Sequence, residues 1–219
     1  MEKLQIYRYE RGEELMNIIT HAAGTALAVA GLAVLVVFSA LQGDPWKIVS
    51  SAIFGATMIL LYGASTLYHA SQNAKVRRIT NMMDHISIFY LIAGTYTPFV
   101  LVTLRGPWGW SLFGIVWGCT LIGTVMKICF QHRLGWLSLL LYLAMGWCII
   151  IAIRPFMQNI EPAGLILTAA GGAAYTIGVF FYKNDKIPYN HGIWHFWVLA
   201  GTILQYFAVL FYVVLPQAL

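Results

Sequence analysis

The chain has 219 residues, of which 60% are hydrophobic and only 10% charged, and its mean hydropathy is +0.74. That much apolar surface does not fit inside one water-soluble core, so a soluble globular domain is excluded and an integral membrane protein is expected. The net charge of +5 carries no nucleic-acid footprint; it reads as a topology signal with some attraction to anionic lipid headgroups.

Crossing about 30 Å of hydrocarbon takes a run of roughly 20 apolar residues. Such runs predict an all-α bundle of seven transmembrane helices near 17–41, 46–71, 83–104, 109–130, 135–154, 162–182 and 190–215, with residues 1–219 forming one membrane domain. The first span enters through "ERGEELMNIITHAAG", where Glu14, Asn17 and His21 fall on one face. A polar face at that depth must point into the bundle. Two roles stand for it, an outer shell that orients a metal ligand and plain interhelical hydrogen bonding. The run ends in "FSALQGDPW", without a small-x-small cleavage signal after a short apolar core, so it is expected to stay attached as a span. The second span closes on "GASTLYHA", with Ser65 and His69 one turn apart. The third opens on "NMMDHISIFY", with Asp84 and His85, and contains Pro98, whose missing N–H should kink the helix. A kink opens space between helices, read equally as a pocket for lipid tails and as structural. Cys119, Cys129 and Cys148 lie inside apolar runs with neither disulfide nor metal spacing, and read as packing residues. The last span opens on "KIPYNHGIWHFWVLAG", which carries His191 and His195.

Lys and Arg near span ends stay on the cytoplasmic side. Lys3, Arg8, Arg11, Lys75, Arg77, Arg78, Lys127, Arg133, Lys183 and Lys186 fall on one side of the seven-span scheme, against Lys47, Arg105 and Arg154 on the other. The N-terminus is therefore expected inside and the C-terminus outside. With that orientation, His21, His69, His85, His132, His191 and His195 all lie in the cytoplasmic half.

His191 and His195 are four residues apart, so their rings leave one helix face a turn apart and can share a metal ion, as in the H-E-x-x-H helix of metalloproteases. His69 supplies a third imidazole at the same depth, and Asp84 a carboxylate. Three imidazoles and a water match the open coordination of catalytic zinc, with the carboxylate placed to take the water's proton. For His21 and His85, a hydrogen-bonded helix contact is the reading to beat, and Asp84 at a span end also has the option of reaching toward the headgroups. A bis-histidine haem would need pairs at two depths, and these are absent.

"ITHAAG" (19–24), "GASTLYHA" (63–70), "MDHISIFYLIAGTYTPF" (83–99), "YLAMGW" (142–147) and "IPYNHGIWH" (187–195) occur in order along nearly the whole chain. In these motifs the chain closely resembles the hemolysin III family of bacterial membrane proteins, part of the PAQR superfamily that includes adiponectin receptors, with alkaline ceramidases as distant relatives. The resemblance implies a multi-pass protein of the bacterial inner (plasma) membrane. It also implies zinc near the cytoplasmic surface, bound by three histidines and a water held by an aspartate. The superfamily's S-x-x-x-H falls on Ser65 and His69, its third-span aspartate on Asp84, and its H-x-x-x-H on His191 and His195.

Three functions compete. The first is a zinc-dependent intramembrane hydrolase of lipid amides or esters, ceramidase-like, in which zinc polarises the carbonyl, Asp84 accepts a proton from water and Ser65 steadies the water or the developing oxyanion. The second is a membrane-state sensor or receptor-like protein in which zinc clips spans 2, 3 and 7 together. The third is a cytolytic protein, disfavoured because polar groups gather at one end of the spans instead of running through the bilayer. Membrane lipids are the expected partners, and the sequence specifies neither a protein partner nor an oligomeric state.

Overall fold

The computed structural model describes residues 9–130 and 134–215. Lys3, Arg8, His132 and Arg133 lie outside these described residues. The helices are α1 (Arg11–Gln42), α2 (Pro45–Ala70), α3 (Ala74–Pro98), α4 (Pro107–Phe130), α5 (Gly135–Gly146), α6 (Ile153–Asn159), α7 (Pro162–Lys183) and α8 (Asn190–Val209). A 3-10 turn, Cys148–Ala152, joins α5 to α6, and π-helical turns extend α3 (Phe99–Thr103) and α8 (Leu210–Val214). With α5 and α6 counted as one span, seven helices are long and apolar enough to cross a membrane, as expected. The described residues contain no strand.

Local chemistry sets the boundaries. Gly43 takes a left-handed conformation (φ 69°) and closes α1 through its N–H to the Ala40 carbonyl, 3.0 Å. One residue later, the Asp44 carboxylate accepts from Trp46 N at 2.9 Å, and Pro45 occupies the first helical position, where its missing N–H costs nothing. Asn73 caps α3 by accepting from Lys75 N (2.9 Å) and Val76 N (3.2 Å).

That cap starts α3 nine residues before the expected 83, and α1 begins at Arg11, not near 17. Hydropathy reports only the apolar stretch, whereas the helices continue past it as polar turns at the histidine end. Pro98 closes α3 but does not end the third span. Past it the helix widens to five-residue hydrogen bonding, with Leu104 N donating to Phe99 O at 2.8 Å, while Thr97 Oγ1 donates to Ala93 O at 2.7 Å.

The break in the fifth span lies just before Pro155, which has no N–H to donate to the Ile151 carbonyl. Between α5 and the 3-10 turn, the Tyr96 hydroxyl donates to Gly146 O and accepts from Ile149 N, both at 2.9 Å. One side chain thus satisfies a donor and an acceptor that lipid could not.

α1 packs against both α2 and α8, α2 also against α3, α3 against α4 and α5, and α7 against α8. Where α8 meets α1 the approach is very close: a Cβ on Gly192 would stand 1.7 Å from Met16 Cε and 3.1 Å from Asn17 Oδ1. The chain enters α8 through Tyr189, the one non-glycine residue with positive φ (57°) among the described residues. This turn lets Asn190 Nδ2 donate to Phe181 O at 3.3 Å, closing the end of α7 and aiming the next turn of α8 at α1.

Candidate metal centre

His69, in the last turn of α2, meets His191 and His195, in the first turns of α8. One ligand atom from each lies within 4.8 Å of the other two, and all three rings are buried. Their centroids stand 4.7 Å (His191 to His195), 5.1 Å (His69 to His195) and 5.2 Å (His69 to His191) apart.

In every ring, Nδ1 is held from behind and Nε2 has no protein partner. His69 Nδ1 lies 2.7 Å from Glu14 Oε2. A carboxylate only accepts, so Nδ1 carries the proton and Nε2 presents its lone pair. His195 Nδ1 lies 3.3 Å from Thr20 Oγ1, whose own hydrogen is donated to the Met16 carbonyl at 2.8 Å. The hydroxyl therefore accepts from His195, and again the Nε2 lone pair faces inward. His191 Nδ1 pairs with the Tyr9 hydroxyl at 2.8 Å, and its backbone N donates to Glu13 Oε1 at 3.1 Å. Burial pushes the Tyr9 phenol's pKa well above its ordinary value, so it remains a neutral hydroxyl.

Glu14 is itself held by Arg77, whose guanidinium donates to it while also reaching the Tyr68 and His69 carbonyls at 3.3 and 3.4 Å. Three imidazoles with fixed rear bonds and converging, unpartnered Nε2 atoms form a donor set that fits a divalent, nitrogen-preferring metal such as zinc.

Asp84 is buried in α3 and interacts electrostatically with His69 and with Lys127 of α4. The Ser65 hydroxyl, fully buried one turn before His69, faces the Asp84 carboxylate without closing a hydrogen bond in good geometry. His21 stacks on His195 at 3.5 Å between centroids and 8° between planes, packs edge-on to Tyr62, and leaves both nitrogens without a protein partner.

His21, Asp84 and His85 contribute to the wall of a cavity of about 140 Å³, otherwise lined mainly by apolar side chains of α3, α5, α7 and α8. It lies where α5 and α7 make few contacts, bridged by Trp147 Nε1 donating to Thr176 at 3.1 Å. Its α3 residues end at Tyr96, short of Pro98.

The sequence matches the family described as "Haemolysin-III related" over residues 9–206. The chain belongs to the haemolysin-III family. It is 44% identical over 206 residues to "Hemolysin-3" of Bacillus cereus, covering 94% of each chain. It is 46% identical over 202 residues to "Hemolysin-3 homolog" of Bacillus subtilis (strain 168), covering 92% of this chain and 95% of the relative. A more distant relative, "Monocyte to macrophage differentiation factor" of Homo sapiens, is 29% identical over 203 residues, covering 90% and 83%. This haemolysin-III protein is a multi-pass membrane protein with a three-histidine group able to hold a metal ion.

The fold brings together the three histidines named from sequence, with Asp84 and Ser65 buried beside them. Of the residues whose roles stood open, Glu14, Asn17 and His21 border the histidines, Asn17 Nδ2 lying 3.5 Å from His69 Nδ1 and His21 stacking on His195, and His21 and His85 line the cavity. Tyr9, Glu13 and Thr20 escaped the sequence reading, and Arg77 entered it only as a cation that sets the orientation. Glu13, Glu14, Asn17, Thr20 and His21 recur at helical spacing, which was a usable signal. Tyr9 precedes both the apolar run and the start of α1.

Proposed function

We propose that this haemolysin-III protein is a zinc-dependent hydrolase of lipid amides or esters that works within the membrane. One observation carries the reading: three inward-facing Nε2 atoms sit beside a buried carboxylate that also belongs to the wall of an apolar cavity. His69, His191 and His195 would hold the zinc, which would supply Lewis acidity toward a carbonyl and a water.

The chain's own groups do the rest. The apolar wall binds the acyl chain and excludes bulk water. Asp84 accepts the proton as water attacks the carbonyl carbon, then returns it to the nitrogen or oxygen that leaves when the acyl bond breaks. Ser65, beside Asp84, offers its hydroxyl to the developing oxyanion or keeps the carboxylate turned toward the water. Glu14, Tyr9 and Thr20 hold the imidazoles in register from behind.

The cation asymmetry of the sequence supports a cytoplasmic orientation for the histidine end, and the Bacillus relatives support a bacterial plasma membrane. A structural zinc is the second reading. Its support is that the ligands tie α2 to α8, with α1 packed against both. The printed names of the Bacillus relatives point to haemolysis as a third. Against it, the buried polar groups without protein partners concentrate at the histidine end and form no stripe through the bilayer.

Purified protein should hydrolyse at least one N-acyl amine or acyl ester lipid, with turnover lost on chelation and restored by zinc. No zinc-dependent release of fatty acid from any lipid class would sink the hydrolase reading. Glu14→Gln keeps the shape of the side chain but removes the charge that His69 Nδ1–H and Arg77 share. Zinc affinity, measured by competition with a chelating dye, is expected to fall about 10- to 100-fold. Unchanged affinity would mean that Glu14 only packs.

A further inference from the structure

Polar side chains in the bundle interior close their hydrogen bonds within the protein. Tyr62 OH donates to Thr202 Oγ1 (2.7 Å), which also meets Tyr175 OH (2.9 Å) and donates to Val198 O (3.0 Å). Ser39 pairs with Ser51 at 2.9 Å, and Trp117 Nε1 donates to Thr97 at 3.2 Å. A bilayer interior requires this, because an unpaired polar group there has no water to turn to. Among the described residues, and outside those packed around the histidines, one fully buried side-chain atom breaks the pattern: Oε1 of Gln205.

Gln205 follows His195 by ten residues on α8, about 15 Å further along the helix at 1.5 Å per residue, and is only 6% exposed. Its Nε2 donates to the Thr168 carbonyl at 2.9 Å. A carbonyl only accepts, so the amide cannot turn over without losing that bond, and Oε1 is fixed as a free acceptor. Room for this arrangement comes from α7. A Cβ on Gly171 would stand 2.8 Å from Gln205 Nε2 and 3.0 Å from its Cδ, so any larger residue would crowd the amide. The amide is thus held against α7, and Gln205 forms part of the same cavity wall as Asp84 and His21, with apolar Leu91, Ile92, Leu143 and Val198.

We infer that Gln205 is a specificity residue of this cavity, reading a hydrogen-bond donor, a hydroxyl or an amide N–H, carried part-way along an otherwise apolar chain. The inference rests on reading the cavity as the chain pocket of a lipid ligand. A plain hydrocarbon laid over Gln205 leaves the already buried Oε1 unpaired, whereas a chain with a donor at that depth closes the bond. Sites built around a buried polar atom reject analogues that lack its partner for this reason.

The test measures binding of octadecanoic acid and of a series of monohydroxy-octadecanoic acids, with the hydroxyl moved along the chain, to the full-length protein in lipid nanodiscs. Hydroxyls within one stretch of the chain are expected to bind about tenfold tighter than the unsubstituted acid, the scale of one hydrogen bond to a buried acceptor. Gln205→Leu should erase the preference while keeping affinity for the unsubstituted acid. Gln205→Met, unbranched and closer in shape against Gly171, serves if the leucine variant misfolds. Equal affinity for all positions in the unaltered protein would mean that no ligand donor reaches Oε1 and would overturn the inference. So would a preference that survives in both variants, or no binding of any of the acids. Binding needs no turnover, so the two readings separate: a positional preference without hydrolysis of any lipid keeps Gln205 as the reader and discards the hydrolase.

Discussion

Replacing His191 with alanine is expected to empty the metal centre. Purified unaltered protein should carry about one zinc per chain by elemental analysis, and His191→Ala close to none, because two imidazoles without a third are a weak site. His69→Ala should behave alike although it lies on a different helix, and this agreement is the stronger form of the result. Stability should fall with the metal, since a ligand that binds only the folded state stabilises it by RT ln(1 + L/Kd), with L the free ligand concentration. Part of the fall will have another cause: without His191, the Tyr9 hydroxyl loses its 2.8 Å partner. Tyr9→Phe isolates that part, as it removes the hydrogen bond and leaves all three Nε2 atoms in place. A protein that is metal-free as purified, or one that keeps a full equivalent in both histidine variants, would overturn the site.

Asp84→Asn separates a catalytic metal from a structural one. The substitution is nearly isosteric and leaves the three histidines untouched, so zinc content should stay within a few-fold of the unaltered protein. If Asp84 takes the proton from the attacking water, turnover should drop by roughly 10²- to 10⁴-fold, the range that one general base contributes. Lys127, buried on α4, has Asp84 as its electrostatic partner, so neutralising the carboxylate alone strands a charge in the bundle. Adding Lys127→Met should recover the stability lost to Asp84→Asn without recovering turnover. Retained hydrolysis in Asp84→Asn would remove the carboxylate from the chemistry, whereas a stability defect alone, with no turnover in any variant, would favour the structural reading.

The number of spans and the chemical character of the site were legible in the linear chain. Runs of about 20 apolar residues have one outcome in a bilayer, and His191 with His195 share a helix face at any four-residue spacing. Boundaries were less legible. α3 extends before the apolar run through "AKVRRITNMM", and its start is set by the Asn73 cap, to which hydropathy is blind. The break in the fifth span leaves only a partial mark in its own residues, Pro155 four residues after Ile151, because the group that satisfies it, Tyr96, sits on another helix.

Sequence by itself therefore determined a seven-span membrane protein with His69, His191 and His195 as the candidate ligands, since both follow from local periodicity and side-chain chemistry. Only the tertiary structure decided how those ligands are held. Glu14 and Thr20 of α1 and Tyr9 just before it determine which imidazole nitrogen faces inward, and that depends on α1 packing against both α2 and α8. The cavity and the free Oε1 of Gln205 likewise arise between α3, α5, α7 and α8, from distances between residues far apart in the chain. Periodicity places a side chain on a face; close packing of separate helices determines what that face meets.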